Sequence, residues 1–263
     1  MKIIDAHTHI FPERIAQKAA QSIGDFYDIP MFSTALSQRL LACESEAGVS
    51  NMLVCSSAVT AKQVERINTF IHEECKQHPE FIGFAAMHPD YENVAEELDR
   101  AKELGLCGVK FHPDFQKFNI DDERAIPMYK EIAKRGMPVL FHTGDYRYDY
   151  SRLKRVYNLL KIVPDLKVIG AHFGGYSQWE EVLTLPRMEN IWFDTSSSLM
   201  FMEPGMAYKL FDHFGIDRFF YGSDFPMWEP KEERKRFLDL HLSKTENEQI
   251  FHVNFEKMMG IEE

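Results

Sequence analysis

The segment Asp5-Ala6-His7-Thr8-His9 closes the first apolar run of the chain, Ile3-Ile4. Side chains two apart on a strand share a face, so this spacing predicts that Asp5, His7 and His9 look the same way. The two imidazoles would then stand together at the strand's tip. Imidazole nitrogens are common ligands of zinc and similar divalent ions, and two on one rigid element make half of a tetrahedral site. The same habit recurs along the chain: His88, His112, His142 and His172 fall at the ends of apolar runs, and Asp224 ends the last one. His72, His78, His213, His241 and His252 fall instead on stretches with helical character, where solvated or packing roles are expected. A polar set gathered at strand ends is hard to explain as packing. A buried neutral imidazole needs hydrogen-bond partners and offers little apolar contact.

The elements that must carry these residues alternate regularly. After the first strand, apolar runs occur at Asn51–Cys55, Phe81–Met87, Cys107–His112, Met137–His142, Lys167–His172, Asn190–Thr195 and Arg218–Asp224. Their cores are near-continuous apolar stretches, as expected of parallel strands covered on both faces. Helix punctuation lies between them. Asn93 with Glu96 reads as a capping box, and Gly105 is placed to stop that helix. Asp122 is expected to cap a helix through Ile126, Tyr129 and Ile132 to Gly136, and Ser151 to start another reaching Pro164. Strand and helix alternating eight times predict a (β/α)8 barrel, with an open doubly wound sheet as the alternative. Two additions are visible: a connection over Phe11–Phe32 with a short helix at Glu13–Ser22, and a C-terminal helix opened by Thr245-x-x-Glu248 and running through Met259. No Gly/Ser-rich linker interrupts the chain, so residues 1–263 read as a single domain.

Composition narrows the function classes. A length of 263 residues suits one α/β barrel. Lys plus Arg number 30 against 41 Asp plus Glu, a net charge of -11 that argues against a nucleic-acid surface or a basic membrane anchor. No run has the length and apolarity of a membrane span, and the start lacks a signal-peptide pattern. Cys43, Cys55, Cys75 and Cys107 form no C-x-x-C pair, so a cytoplasmic location without disulfides is expected. The expected partner is a small-molecule substrate, and a homo-oligomer is compatible with the sequence.

Gly108, Gly170 and Gly222 precede Lys110, His172 and Asp224 by two. On the same strand faces they would leave room for a metal, water and substrate, with close helix–sheet packing as the competing explanation. Around the expected mouth stand Phe11, Phe115, Tyr146, Arg147, Tyr148, Phe173, Tyr176, Phe225, Met227 and Trp228. An aromatic wall with one arginine suits a small ring or acyl compound bearing a carboxylate.

DAHTHIF, GVKFHP, VLFHTG, IGAHFGG and YGSDFP, in this order, together with the closing IFHVNFEKMMGI, resemble the amidohydrolase superfamily. The branch they most resemble is the small TIM-barrel metal-dependent hydrolases, which also holds the aminocarboxymuconate-semialdehyde decarboxylase relatives. The resemblance implies a divalent metal, one Zn²⁺ foremost, held by His7, His9, His142 and Asp224. It places His172 where one-metal relatives touch substrate or the activated water, as catalytic partner to Asp224. Three imidazoles and a carboxylate leave zinc one open position, where a water's pKa falls from 15.7 toward ~7. Asp224 can then take the water's proton, and His172 can polarise the scissile carbonyl. Lys110 superficially matches the carboxylated lysine that bridges the ions of two-metal relatives; lying two residues below His112, it is expected rather to sit deep and pair with Asp5 or another carboxylate. His88 and His112 fit the substrate pocket or the layer behind the ligands. The reading is a hydrolase of a small amide, lactone or ester. The alternatives are a nonoxidative decarboxylase of a carboxylated aromatic or unsaturated acid at the same site, and a non-catalytic binding barrel. The intact His/Asp set argues against the last. His142-Thr143-Gly144 resembles the hydrolytic members, since many decarboxylase relatives carry proline after that histidine.

Overall fold

The computed structural model describes residues 1–261. Eight parallel strands follow in sequence order around one sheet: β1 (Ile4–His9), β2 (Asn51–Cys55), β3 (Phe81–Ala86), β4 (Gly108–Phe111), β5 (Val139–Phe141), β6 (Val168–Gly170), β7 (Ile191–Asp194) and β8 (Phe219–Phe220). Backbone bonds from Ala6 N to Tyr221 O, His9 N to Phe225 O and Asp224 N to His7 O, each 2.8 Å, join the last strand to the first. This is the expected (β/α)8 TIM barrel. The strands are shorter than the apolar runs suggested: His112 and His142 directly follow β4 and β5, His172 lies two residues past β6 and Asp224 four past β8.

Side-chain alternation builds two cores. Inside the barrel, Ile4, Ala6, Leu53, Phe84, Leu140, Ile169 and Phe220 pack together, while Met52, Val54, Val109, Phe141, Val168 and Phe193 face the helices. The helix opened at Ser243 runs through a π-turn into Asn254–Met259. Its Phe255 and Met258 join the inner core, which closes the barrel's N-terminal end and leaves the opposite end for chemistry. The cap of that helix is Ser243 with Glu246, two residues earlier than Thr245 with Glu248, and both capping bonds are formed.

Other boundaries also differ. Asn93 precedes the helix Val94–Glu103 without making a side-chain cap bond. The helix Ile126–Lys134 begins at Ala125, with proline in its first turn, and Asp122 instead accepts from Arg124 N in the preceding turn. Leu153–Ile162 starts behind Arg152 rather than Ser151. His78 and His241 lie just outside helices, and His252 lies in the π-turn. The helix predicted over Glu13–Ser22 extends to Tyr27. Gly24 does not stop it, because the returning chain packs there: a Cβ on Gly24 would lie 2.8 Å from the Ile29 carbonyl. Five further residues of helix carry Phe26 and Tyr27 over the barrel mouth.

Candidate active site

Strand alternation alone does not place the β1 histidines. The pairing of β1 with β2 slips between Asp5 and Thr8, a bulge that re-aims the side chains beyond it. Ala6 joins the inner core, and His7 and His9 both line the cavity at the barrel's C-terminal end. Asp5 is turned away from them. Both its oxygens accept from Ser223 N at 3.1 Å, and Glu44 of the helix Ser37–Ala47 lies beside it. The expectation that Asp5, His7 and His9 share a face is therefore corrected, and Asp5 is no partner for Lys110.

His7, His9 and Asp224 come together: His7 Nε2 and His9 Nε2 lie 3.6 and 3.2 Å from Asp224 Oδ1. Their ligand atoms fall within 4.8 Å of one another, as do those of His7, His172 and Asp194. The Asp224 carboxyl would be pushed up by burial, but His7, His9 and His172 hold it well below the usual range. Its other oxygen accepts from Ser197 Oγ at 2.5 Å, and the Trp228 indole donates to the same hydroxyl. Asp224, His172 and Ser197 have φ of 60°, 61° and 49°. Left-handed backbone costs non-glycine residues on the order of 1–3 kcal/mol each and gathers at functional sites.

The remaining donors are fixed by acceptors around them. His7 Nδ1 lies 2.9 Å from Asp194 Oδ2. A carboxylate only accepts, so Nδ1 carries the proton and Nε2 presents a lone pair. His172 Nδ1 lies 3.2 Å from the Ser196 carbonyl, and His142 Nε2 lies 3.1 Å from the Gly144 carbonyl. Both of those nitrogens donate, which leaves lone pairs on His172 Nε2 and His142 Nδ1. These two atoms face each other at 3.0 Å. Burial lowers the pKa of both rings; with these tautomers a cation beside the two lone pairs would relieve their repulsion. The tautomer of His7, the buried acceptors behind the rings and the low-pKa carboxylate fit a divalent metal; His9, raised to about 9 against its burial by Cys55 and Asp224, would release its proton on binding one.

Lys110 is fully buried, and its Nζ lies 2.9 Å from His7 Nε2. Burial lowers its pKa, and its amine donates into the His7 Nε2 lone pair that a metal would take. None of the three glycines lines the cavity: at Gly222 a Cβ would meet His7, Ser196 and Asp194 at 3.1–3.4 Å, so it makes room for those side chains rather than for substrate. Gly108 makes room for the Phe84 ring, and Gly170 packs toward Leu153 and Phe193.

Above this floor opens a cavity of about 320 Å³. Phe11, Phe115 and Met227 line it as expected, joined by Ile23, Phe26, Tyr27 and Met31 of the extended connection. Phe173 and Phe225 are buried in the core, and Tyr146 is exposed. Arg147 is spent on Asp145 and stacks over Phe26 and Tyr27. His112 lies in the cavity wall, stacked on His142 at 4.1 Å, and His88 bonds Asp90 N away from it. Sequence reasoning missed Asp194, although a carboxylate ending an apolar run is the same signal that marked Asp224. It also missed Asp114 and Tyr27, for which the sequence carries no comparable sign.

The chain belongs to the amidohydrolase family: the family model described as Amidohydrolase matches residues 4–261. No curated protein matches it by sequence. Among solved structures, 2,6-dihydroxybenzoate decarboxylase complexed with 2,6-dihydroxybenzoate is similar at 18% identity and a TM-score of 0.77, over 99% of this chain and 100% of that one. Dihydroxybenzoic acid decarboxylase from Polaromonas sp. JS666, with bound manganese and the inhibitor 2-nitroresorcinol, follows at 17% and 0.75, over 99% and 97%. A Pseudomonas putida protein provisionally assigned as 2-pyrone-4,6-dicarboxylic acid hydrolase has 17% and 0.70, over 99% and 98%. At these identities the likeness is one of fold. Among the described residues, no helix is long and apolar enough to cross a membrane.

Proposed function

We propose that this protein is a metal-dependent hydrolase that opens an amide, lactone or ester bond in a small, largely apolar substrate. The observation that carries the reading is the convergence of His7 Nε2, His9 Nε2 and Asp224 Oδ1 at the floor of an apolar-walled cavity. A divalent ion there would supply Lewis acidity that lowers the pKa of water and polarises a carbonyl; His142, whose Nδ1 faces His172 Nε2 at 3.0 Å, is the fourth ligand we infer. Zinc is the ion we infer, one per chain; a carboxylated Lys110 bridging two ions is the rival arrangement.

The chain's own groups have separable tasks. Asp224 is kept ionised by its histidine neighbours, so at neutral pH it can accept the proton of an attacking water. Ser197, bonded to the other oxygen, keeps the carboxylate pointed at the floor. His172 carries its proton on Nδ1, toward Ser196, so its Nε2 serves as an acceptor. Polarising a carbonyl, the other role expected of it, would take the tautomer with an N–H at Nε2. The phenyl and methionine walls exclude bulk water and orient the apolar body of the substrate.

A nonoxidative decarboxylase at the same site is the second reading. The aromatic wall of Phe11, Phe26 and Phe115 and the fold likeness to decarboxylases of hydroxylated benzoates support it. Turnover of a panel of lactones, esters, amides and hydroxybenzoates in ¹⁸O-labelled water separates the two. Label in a product carboxylate is the expected result. Carbon dioxide release with no label in the organic product would replace the hydrolase reading with the decarboxylase one.

A further inference from the structure

Away from the His7–His9–Asp224 floor, the cavity wall holds a second set of polar groups whose hydrogen-bonding capacity is unspent. Asp114 follows β4 on the short helix Pro113–Gln116. Its side chain is buried, and neither carboxylate oxygen has a well-formed hydrogen bond; burial raises its carboxyl to about 6, with the Ser151 hydroxyl and its own backbone N–H pulling the other way. The nearest cationic candidate is the His142 ring, whose Nε2 is 3.7 Å from Asp114 Oδ2, but that nitrogen's proton goes to the Gly144 carbonyl. The Ser151 hydroxyl nearby also lacks a partner; turning it toward Asp114 would satisfy one acceptor site of the several a carboxylate offers. Leaving a buried charged acceptor unpaired is costly, and such a group in a cavity wall is suited to bind a donor.

Tyr27 supplies the complement. Its hydroxyl is 2.9 Å from His112 Nε2 and 3.4 Å from His142 Nε2. His112 Nδ1 accepts from Phe115 N, so the His112 proton sits on Nε2 and points at the tyrosine oxygen. The phenolic O–H is then left as a donor. Asp114 and Tyr27 thus approach the same edge of His142, one offering an acceptor and the other a donor, and both line the cavity.

We propose that Asp114 and Tyr27 form a second substrate subsite, which binds a hydroxyl group on the part of the substrate remote from the reacting bond. A hydroxyl can donate to Asp114 while accepting from Tyr27, whereas an ether can only accept and a hydrocarbon can do neither. The assignment deepens the proposed function in one respect: it takes this cavity as the place where substrate binds.

The test uses ring-fluorinated benzyl alcohol, benzyl methyl ether and toluene, none of which carries a carboxylate for the histidine floor. Their binding to the purified protein is followed by fluorine NMR, with and without prior chelator treatment. The alcohol is expected to bind roughly tenfold more tightly than toluene, with the ether in between, because hydrogen bonds to charged groups are worth more than neutral ones. Asp114→Leu should bring the alcohol down to the level of the ether, and Tyr27→Phe should bring the ether down to that of toluene. If Asp114→Leu does not fold, Asp114→Asn should still lose most of the alcohol's advantage. Equal binding of the three probes, failure of all to bind, or an alcohol preference that survives at Asp114→Leu would overturn the subsite. Chelator treatment should leave the preference unchanged, so failure of the metal-hydrolase reading would be seen separately, in metal content and turnover.

Discussion

Asp194 Oδ2 accepts the Nδ1 proton of His7 at 2.9 Å, and this bond decides which face His7 shows the cavity. The other oxygen accepts the backbone N–H of His172 at 3.1 Å and the Ser196 hydroxyl. One carboxylate on β7 thereby sets the tautomer of one imidazole and the backbone position of another. Carboxylates behind metal-ligating histidines typically affect affinity by 10- to 100-fold. Asp194→Asn is therefore expected to weaken zinc or manganese binding by roughly tenfold or more while the far-ultraviolet circular dichroism stays native. Titration against a competing chelator measures it, and unchanged affinity would show that Asp194 serves packing alone.

The metal content of the protein tests the floor directly. Protein purified without chelator is expected to carry a divalent ion, and the His7→Ala/His9→Ala double variant to lose it. Removal of the ion from the wild type should also lower the melting temperature, because a ligand that binds only the folded state stabilises it by mass action. Equal metal content in both proteins would dissolve the proposed donor set. Two ions per chain in the wild type, falling to one in Lys110→Ala, would favour the bridged arrangement.

His172 faces His142 across 3.0 Å and stacks near His7 at 5.2 Å, close to the floor but outside the His7–His9–Asp224 triad. His172→Asn is expected to keep most of the bound metal and to lower turnover on the order of a hundredfold, as loss of a positioned proton acceptor does. Elemental analysis beside steady-state rates reads both effects. Metal loss in this variant would move His172 among the ligands.

The barrel was legible because each strand is apolar on both faces and each helix is punctuated, so that period and length agree over the whole chain. What the pattern could not carry was local geometry. Alternation put Asp5 beside His7, but the bulge after Asp5 reversed it, and nothing in Asp5-Ala6-His7 distinguishes a bulged strand from a regular one. Asp194 was readable in principle, since it lies two beyond Trp192, which packs against the inner core. Tyr27 was not. Its place depends on a helix that passes through Gly24, and only the tertiary contact with Ile29 and Met31 makes glycine fit there.

Gly108 gives a stability prediction independent of any function. A Cβ at this position would lie 2.3 Å from the Phe84 ring, and Phe84 is itself fully buried inside the barrel. Overpacking of this kind costs about 1–3 kcal/mol. Gly108→Ala is expected to lower the denaturation midpoint accordingly, and Phe84→Leu in the same chain to recover part of the loss. An additive effect of the two changes would show that the ring already has room to move.

Glu233 gives the pH dependence. It lies on the helix Pro230–Leu238 and is buried, and burial raises its carboxyl to about 8, even though Arg236 pulls the other way. In the unfolded chain the same group titrates near its ordinary 4.5. Between these values the folded protein holds a proton that the unfolded chain has released, so folded molecules bind more protons and stability falls as pH rises. The contribution is fully present below about 4.5 and is lost as pH climbs through about 8. For one group the slope is at most about 1.4 kcal/mol per pH unit. Glu233→Gln fixes the neutral state, so urea midpoints of the variant should decline less than those of the wild type between these two values. At pH 9 the variant should be the more stable protein. Parallel profiles for the two proteins would mean that Arg236 holds Glu233 ionised throughout.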